Sequence, residues 1–227
     1  FHLWNVKRIR PQAVAESQLD VEAPFPDLWA YEGVTAYLDD WFLRQANTRS
    51  CSDFLRVVAE NLTRLEATPG RFRQSLTQAS EDAWIRLYQP APHLPLSTVS
   101  YYLKGALVAM ALDLELRRHG QQPQSLVALL RQQYQQWQQD PAPLPPHALE
   151  RLVLQHRPDL EDFFARYVHG VDEPDFEPLL HDFGLQLERR APSAHDDRGG
   201  PTQIASWSAE LGLRWSPLDS TRISLVE

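Results

Sequence analysis

The sequence is poor in sulfur: its 227 residues include one cysteine, Cys51, and one methionine, Met110. A single cysteine excludes an internal disulfide framework and a cysteine-rich zinc site, and it favours the cytosol weakly over the periplasm. No apolar run reaches the ~18 residues that a membrane span needs. An excess of positive charge is also lacking, since the net charge is -8. Neither a membrane nor a nucleic acid is therefore expected as a partner.

The remaining composition is typical of a folded chain, with 43% hydrophobic and 23% charged residues. At about 150 residues per domain, this length predicts roughly one to two domains. The chain opens on Phe1-His2-Leu3-Trp4-Asn5, which lacks both an initiator Met and the character of a targeting segment. We interpret this opening as a cut inside a longer protein.

Apolar residues recur at helical spacing through most of the first 183 positions, and proline and glycine separate the segments. A helix is predicted from Asp27, as N-cap, to about Arg44. The segment 98–118 is apolar nearly all round, which indicates a buried helix ended by Gly120. Further helices are predicted over 52–67, 81–88, 125–138, 147–155 and 159–168, with another near 174–182.

The pattern changes at Phe183-Gly184. Residues 185–188, 209–215 and 222–226 alternate between apolar and polar, as strands do, with a turn at 217–219. These strands are too few to close a sheet or barrel. The sequence therefore predicts a mainly α chain, with a helical domain over 1–183 and an incomplete β unit over 184–227.

Three short patterns carry residues capable of chemistry: His2-Leu3-Trp4-Asn5, then Trp29-Ala30-Tyr31-Glu32-Gly33, then Tyr102-Leu103-Lys104-Gly105. Each has an ordinary structural explanation. A histidine near a terminus is usually solvated, and a glutamate in such a helix usually lies at the surface. A tyrosine on an apolar helix is usually part of the core, with a partner for its hydroxyl.

Together and in this order, the three patterns resemble the later part of the site in thermolysin-like zinc aminopeptidases whose third ligand is Glu. The longer stretches F-H-L-W-N-V-K-R-I-R-P, W-A-Y-E-G-V-T-A-Y and S-Y-Y-L-K-G-A-L-V-A are similar to the glycyl-aminopeptidase family of metallopeptidases. Members of that family carry a PDZ domain after the catalytic helices. The resemblance implies that 1–183 is the C-terminal helical part of the catalytic domain and that 184–227 begins a PDZ-like domain.

The resemblance also assigns roles to individual residues. His2 matches the second histidine of H-E-x-x-H, and Glu32 matches the third zinc ligand. Tyr102 matches the tyrosine that donates to the oxyanion, since it precedes x-Lys-Gly; Tyr101 is its alternative. Asp39 and Asn5 are candidates for orienting a ligand, although a solvated carboxylate is the plainer interpretation of Asp39.

The chemistry explains these residue types. Two histidines one helical turn apart reach one zinc ion, and a carboxylate from another helix completes the set. A water in the fourth position loses its proton to the glutamate between the histidines. If His2 closes H-E-x-x-H, the first histidine and that glutamate precede Phe1. We therefore expect this chain to be inactive by itself.

The expected function of the parent protein is that of a zinc-dependent aminopeptidase acting on peptides, with Gly or Ala as favoured N-terminal residues. Zinc is expected in the intact parent and can be absent from this chain. The alternative is a non-catalytic helical scaffold with a PDZ-like peptide-binding tail. Apolar surface left uncovered around Trp4, Trp29 and Tyr102 further predicts a homodimer.

Overall fold

The computed structural model describes residues 1–3, 5–17, 20–89, 91–118, 125–192 and 197–200, and the backbone of 213–216 and 219–225. The described α-helices are α1 (Gln12–Ala15), α2 (Val34–Gln45), α3 (Cys51–Glu66), α4 (Leu76–Glu81), α5 (Leu103–Arg118), α6 (Leu126–Gln139), α7 (Ala148–His156), α8 (Glu161–Phe164) and α9 (Phe176–His181). Short π-helical turns cover Trp29–Gly33, Ala83–Leu87 and Ala165–His169, and 3₁₀ turns cover Pro69–Phe72, Leu94–Leu96 and Pro158–Leu160. In this part of the chain no helix is both long and apolar enough to cross a membrane.

The prediction of a mainly helical chain is confirmed, and α5 lies at its centre. Most of α5 is buried, including Leu107, Ala109 and Leu112. It packs against α2, the turn Trp29–Gly33 and α3, with α6 and α9 also in contact. A helix without a polar face must be covered on every side, as the sequence pattern indicated. The predicted end at Gly120 lies outside the described residues.

A pair of glycines sets the distance between α5 and the turn Trp29–Gly33. A Cβ added at Gly33 would lie 2.6 Å from Gly105 Cα and 2.8 Å from the carbonyl oxygen of Tyr101. No side chain fits in that space, because real Cβ atoms essentially never approach backbone atoms so closely. The glycines that close the second and third sequence patterns therefore bring those patterns together.

Asp27, the predicted N-cap, directly precedes the first helical residue, and its backbone oxygen accepts from the amides of Ala30 and Tyr31 at 2.8 and 3.2 Å. Its side chain has a different partner. The carboxylate of Asp27 instead accepts a hydrogen bond from the backbone amide of His147 at 2.8 Å. This partner lies 120 positions away in sequence, so local spacing could not indicate it.

The strand predicted at 185–188 is wrong. The backbone amide of Leu185 donates to Leu180 O at 3.0 Å, and Leu185 and Leu187 pack partly buried against the helical core. The alternation therefore reflects one partly buried face of a segment that pairs with no strand among the described residues.

A two-stranded antiparallel sheet follows, formed by β1 (Leu213–Ser216) and β2 (Asp219–Leu225). Leu213 pairs with Leu225 and Trp215 with Ile223. Hairpin strands near these positions were expected, although the predicted turn and residues 209–212 lie mostly outside the described residues. A PDZ-like domain over 184–227 stays a prediction.

Part of the apolar surface expected to drive dimerisation is covered within the chain. Trp29 is buried in the core, and Tyr102 is partly buried against it. Trp4 lies outside the described residues. The homodimer stays a prediction, with less surface at these positions than the sequence suggested.

Candidate zinc and oxyanion site

The structure brings His2 and Glu32 together. His2 Nε2 lies 3.2 Å from Glu32 Oε2, and the two side chains are 42% and 23% exposed. Glu32 belongs to the turn Trp29–Gly33, which is anchored by the buried side chains of Trp29 and Tyr31. The site is therefore accessible from solvent and supported from beneath by the core.

The N-terminal segment that carries His2 is held in two places. The ring of Phe1 packs against Phe42 of α2, with centroids 6.4 Å apart, and Ile9 is completely buried. Backbone hydrogen bonds from Asn5 to Phe1 O and from Lys7 to His2 O, both 3.3 Å, close the turn between them.

The residues present fit two ligands of a zinc site. Donor atoms held about 2.0–2.1 Å from a tetrahedral ion lie about 3.3 Å from each other, close to the separation of the His2 and Glu32 atoms. His2 Nδ1 lies 3.3 Å from the backbone oxygen of Asn5. A proton on Nδ1 donated to that carbonyl leaves Nε2 free to bind a metal.

The two residues predicted to orient a ligand differ in their surroundings. Asn5 contacts His2 through its backbone carbonyl, whereas its buried side-chain nitrogen has no hydrogen-bond partner in the described structure. Asp39 is exposed on α2, and among the described contacts none joins it to His2. Its orienting role stays a prediction.

Tyr102 lies beside two further tyrosines. Its ring stacks on Tyr101 with centroids 4.6 Å apart, and the hydroxyls of Tyr88 and Tyr101 are 3.3 Å apart. Burial raises the pKa of Tyr102 to about 12, with added contributions from a hydrogen bond with Tyr88 and the charge of Glu32. The Tyr102 hydroxyl therefore keeps its proton at neutral pH and can donate it in a hydrogen bond.

The charge of Glu32 distinguishes the two adjacent tyrosines. It raises the pKa of Tyr102, whereas the pKa of Tyr101 is raised by burial and by its neighbouring tyrosines. The charge of Glu32 therefore acts on the hydroxyl of Tyr102, and the choice of Tyr102 over Tyr101 stays a prediction. Sequence reasoning missed Tyr88, because nothing in its local pattern separates it from an ordinary surface aromatic.

Lys104, the lysine of the third sequence pattern, connects parts of the fold. Lys104 is completely buried, and its Nζ donates to the backbone oxygens of Val171 at 3.0 Å and Arg71 at 3.3 Å. Burial lowers its pKa to about 8, against the opposing charge of Glu173. Lys104 therefore ties the start of α5 to the 3₁₀ turn Pro69–Phe72 and to the backbone at Val171.

We expect the stability of the chain to rise between pH 8 and 10.5 because of Lys104. The unfolded chain holds this proton up to the ordinary lysine pKa of 10.5, whereas the folded chain releases it near 8. The unfolded state thus binds more protons in this window, and raising the pH favours folding. At about 1.4 kcal/mol per pKa unit, the rise is about 3 kcal/mol at most.

Urea unfolding across this pH range checks the expectation, with Lys104→Met as the matched variant. The free energy of unfolding of the variant should lack the part of the rise that is due to Lys104. Parallel pH profiles for the two proteins would contradict it.

Comparison with known proteins places these residues in a family context. Residues 1–108 match the family model for M61 glycyl aminopeptidase. A search of curated proteins finds no match. Among solved structures, the chain is similar to an aminopeptidase N family protein from Idiomarina loihiensis, with 28% identity and a TM-score of 0.89. The alignment covers 95% of this chain and 37% of that one, so the chain spans a minor part of that protein's length.

The matched segment contains His2, Glu32 and Tyr102, and the structural similarity extends over nearly all of the chain. The resemblance predicted from the three sequence patterns is confirmed. Over its first 108 residues the chain is therefore similar to the M61 glycyl aminopeptidase family.

Proposed function

We propose that the protein to which this chain belongs is a zinc-dependent aminopeptidase that removes N-terminal residues from peptides, with Gly and Ala preferred. The observation that carries the proposal is the 3.2 Å approach of His2 Nε2 to Glu32 Oε2. This contact lies in the segment that matches the glycyl aminopeptidase family model. The word glycyl in that description supports the proposed preference for a small N-terminal residue.

His2, Glu32 and Tyr102 each have a distinct part in the proposed reaction. His2 offers an unprotonated Nε2 while its Nδ1 faces the Asn5 carbonyl, and Glu32 offers a carboxylate oxygen. Zinc, when bound, acts as a Lewis acid and lowers the pKa of a bound water toward ~7. The Tyr102 hydroxyl donates a hydrogen bond to the oxyanion that develops as the peptide carbonyl becomes tetrahedral.

The chain alone is proposed to be inactive. It contributes two of the three protein ligands that such a site needs, and no H-E-x-x-H occurs anywhere in its sequence. It therefore lacks both a third ligand and the glutamate base of this type of site.

An assay of the intact protein tests the proposal. Glycyl and alanyl p-nitroanilides should be cleaved, whereas their N-acetylated forms should not, because an aminopeptidase requires a free amine. Removal of metal by a chelator should abolish activity, and added zinc should restore it. The present chain, assayed in parallel, should show no cleavage. Activity that survives metal removal, or equal cleavage of the acetylated substrates, would refute the proposal.

A further inference from the structure

A second group of metal-binding side chains lies on other elements of the fold. It consists of His147 at the start of α7, Glu150 in the first turn of α7, and His169 at the end of the turn Ala165–His169. One donor atom from each lies within 4.8 Å of the others. His169 Nε2 is 2.9 Å and His147 Nδ1 is 3.7 Å from the same oxygen, Glu150 Oε2.

Both ring nitrogens of His169 have polar partners. Its Nδ1 lies 2.9 Å from the hydroxyl oxygen of Thr77, and that hydroxyl is 3.3 Å from the carbonyl oxygen of Val168. The Thr77 oxygen can accept from His169 Nδ1–H while its own proton points to Val168. With the ring proton on Nδ1, the lone pair of Nε2 faces the Glu150 carboxylate, and a cation bound by both would satisfy them.

His147 brings a second carboxylate to the same place. Its Nδ1 lies 3.5 Å from Asp27 Oδ1, and its backbone amide donates to Asp27 Oδ2 at 2.8 Å. The backbone of His147 has a φ of 59°, a left-handed conformation that is uncommon for a residue with a side chain. The Asp27 contact therefore holds His147 in an unfavourable conformation that directs its ring toward Glu150 and His169.

We propose that His147, Glu150 and His169 form a second divalent-metal site, for which zinc is the fitting ion. Two imidazole nitrogens and one carboxylate oxygen are a donor set that zinc accepts with a fourth position left open. The side chains of His147 and His169 are 36% and 35% exposed, so that solvent can reach the group, and Asp27 lies beside it. Thr77 fixes the His169 ring in the way that partners of metal-binding histidines commonly do.

This site is independent of the proposed peptidase chemistry, because it shares no residue with the pair His2 and Glu32. Its ligands come from α7 and from the turn Ala165–His169, and its neighbours Asp27 and Thr77 come from two earlier parts of the chain. A bound ion would therefore cross-link the start of α7 to the turn Ala165–His169. The competing explanation is a cluster of histidines hydrogen-bonded to carboxylates, which would bind no metal.

Zinc titration of the chain distinguishes these explanations. The His2→Ala variant removes the first zinc candidate, so that the second site is measured alone. We expect zinc chloride at pH 7.5 to shift the ring nitrogen signals of His147 and His169 in long-range ¹H–¹⁵N spectra. Competition with a chromophoric chelator should then give one bound zinc per chain.

Substitutions in the same background test the ligands. Glu150→Gln and His169→Ala should each weaken zinc binding by at least about 100-fold, and Thr77→Val by about 10-fold. His181→Ala is the matched control, since the side chain of His181 is 84% exposed on α9, and it should change nothing. Unchanged affinity in the ligand variants, or ring signals that respond to pH but not to zinc, would overturn the proposal. If a variant unfolds, the ring signals of the His2→Ala chain decide the question.

Discussion

Replacing Tyr102 with Phe in the intact peptidase should lower kcat by about 10²–10³-fold, the loss typical of removing one oxyanion donor. The hydroxyl keeps its proton at neutral pH because the pKa of Tyr102 is raised to about 12. Its hydrogen bond strengthens as negative charge develops on the carbonyl oxygen, so that it favours the transition state over the bound substrate. KM should therefore change much less than kcat.

Tyr101→Phe is the matched control for this prediction. It removes the same atom from the adjacent residue, whose ring is buried and whose hydroxyl lies 3.3 Å from that of Tyr88. Steady-state kinetics should show a loss below about 10-fold for the control, within the range of a neutral hydrogen bond of about 1 kcal/mol. Equal losses for the two variants would remove Tyr102 from the proposed role.

The residues of this candidate site could be named from sequence because they lie in short patterns that resemble a known family, and their roles stay predictions. What the spacing could not supply was the contact between the patterns. The close approach of Gly33 and Gly105 provides that contact, since it packs the turn that carries Glu32 directly against the start of α5. The glycines were present in the quoted patterns, but only the packed structure gives the physical reason for them.

Apolar periodicity predicted the helices correctly where each helix buries one continuous face. The predicted segment 52–67 corresponds to Cys51–Glu66, and 125–138 corresponds to Leu126–Gln139. The segment 159–168 was less regular than predicted, because a 3₁₀ turn, α8 and a π-helical turn succeed one another there. Helical spacing alone does not separate these closely related conformations.

The second metal site was beyond sequence reasoning for a different reason. His147 and Glu150 are three positions apart, which places them on one side of a helix, but such pairs are common on surfaces. The informative neighbours, His169, Thr77 and Asp27, are brought to the site by tertiary packing. The unusual backbone of His147 has no signal in sequence, because histidine at such a position is not distinguishable from histidine elsewhere.

The buried carboxylate of Asp113 gives the largest expected effect on stability. Its Oδ2 accepts from the Tyr37 hydroxyl at 2.8 Å and from Arg117 Nε at 3.0 Å, and its Oδ1 accepts from the Leu126 amide at 2.7 Å. These contacts join α5 to α2 and to the first turn of α6. Asp113→Ala would leave two buried donors unpaired and one charge without its partner, which should cost about 3–5 kcal/mol of unfolding free energy.

Urea unfolding measures this cost, and Tyr37→Phe separates the parts of the network. The Tyr37 variant removes one donor and leaves the carboxylate bonded to Arg117 and Leu126, so that it should lose only about 0.5–1.5 kcal/mol. The difference between the variants reflects the ion pair with Arg117 and the Leu126 amide together. Asp113 satisfies that amide at the point where α6 begins and its backbone has no helical partner. A loss for Asp113→Ala no larger than that for Tyr37→Phe would show that solvent replaces the carboxylate at this helix start.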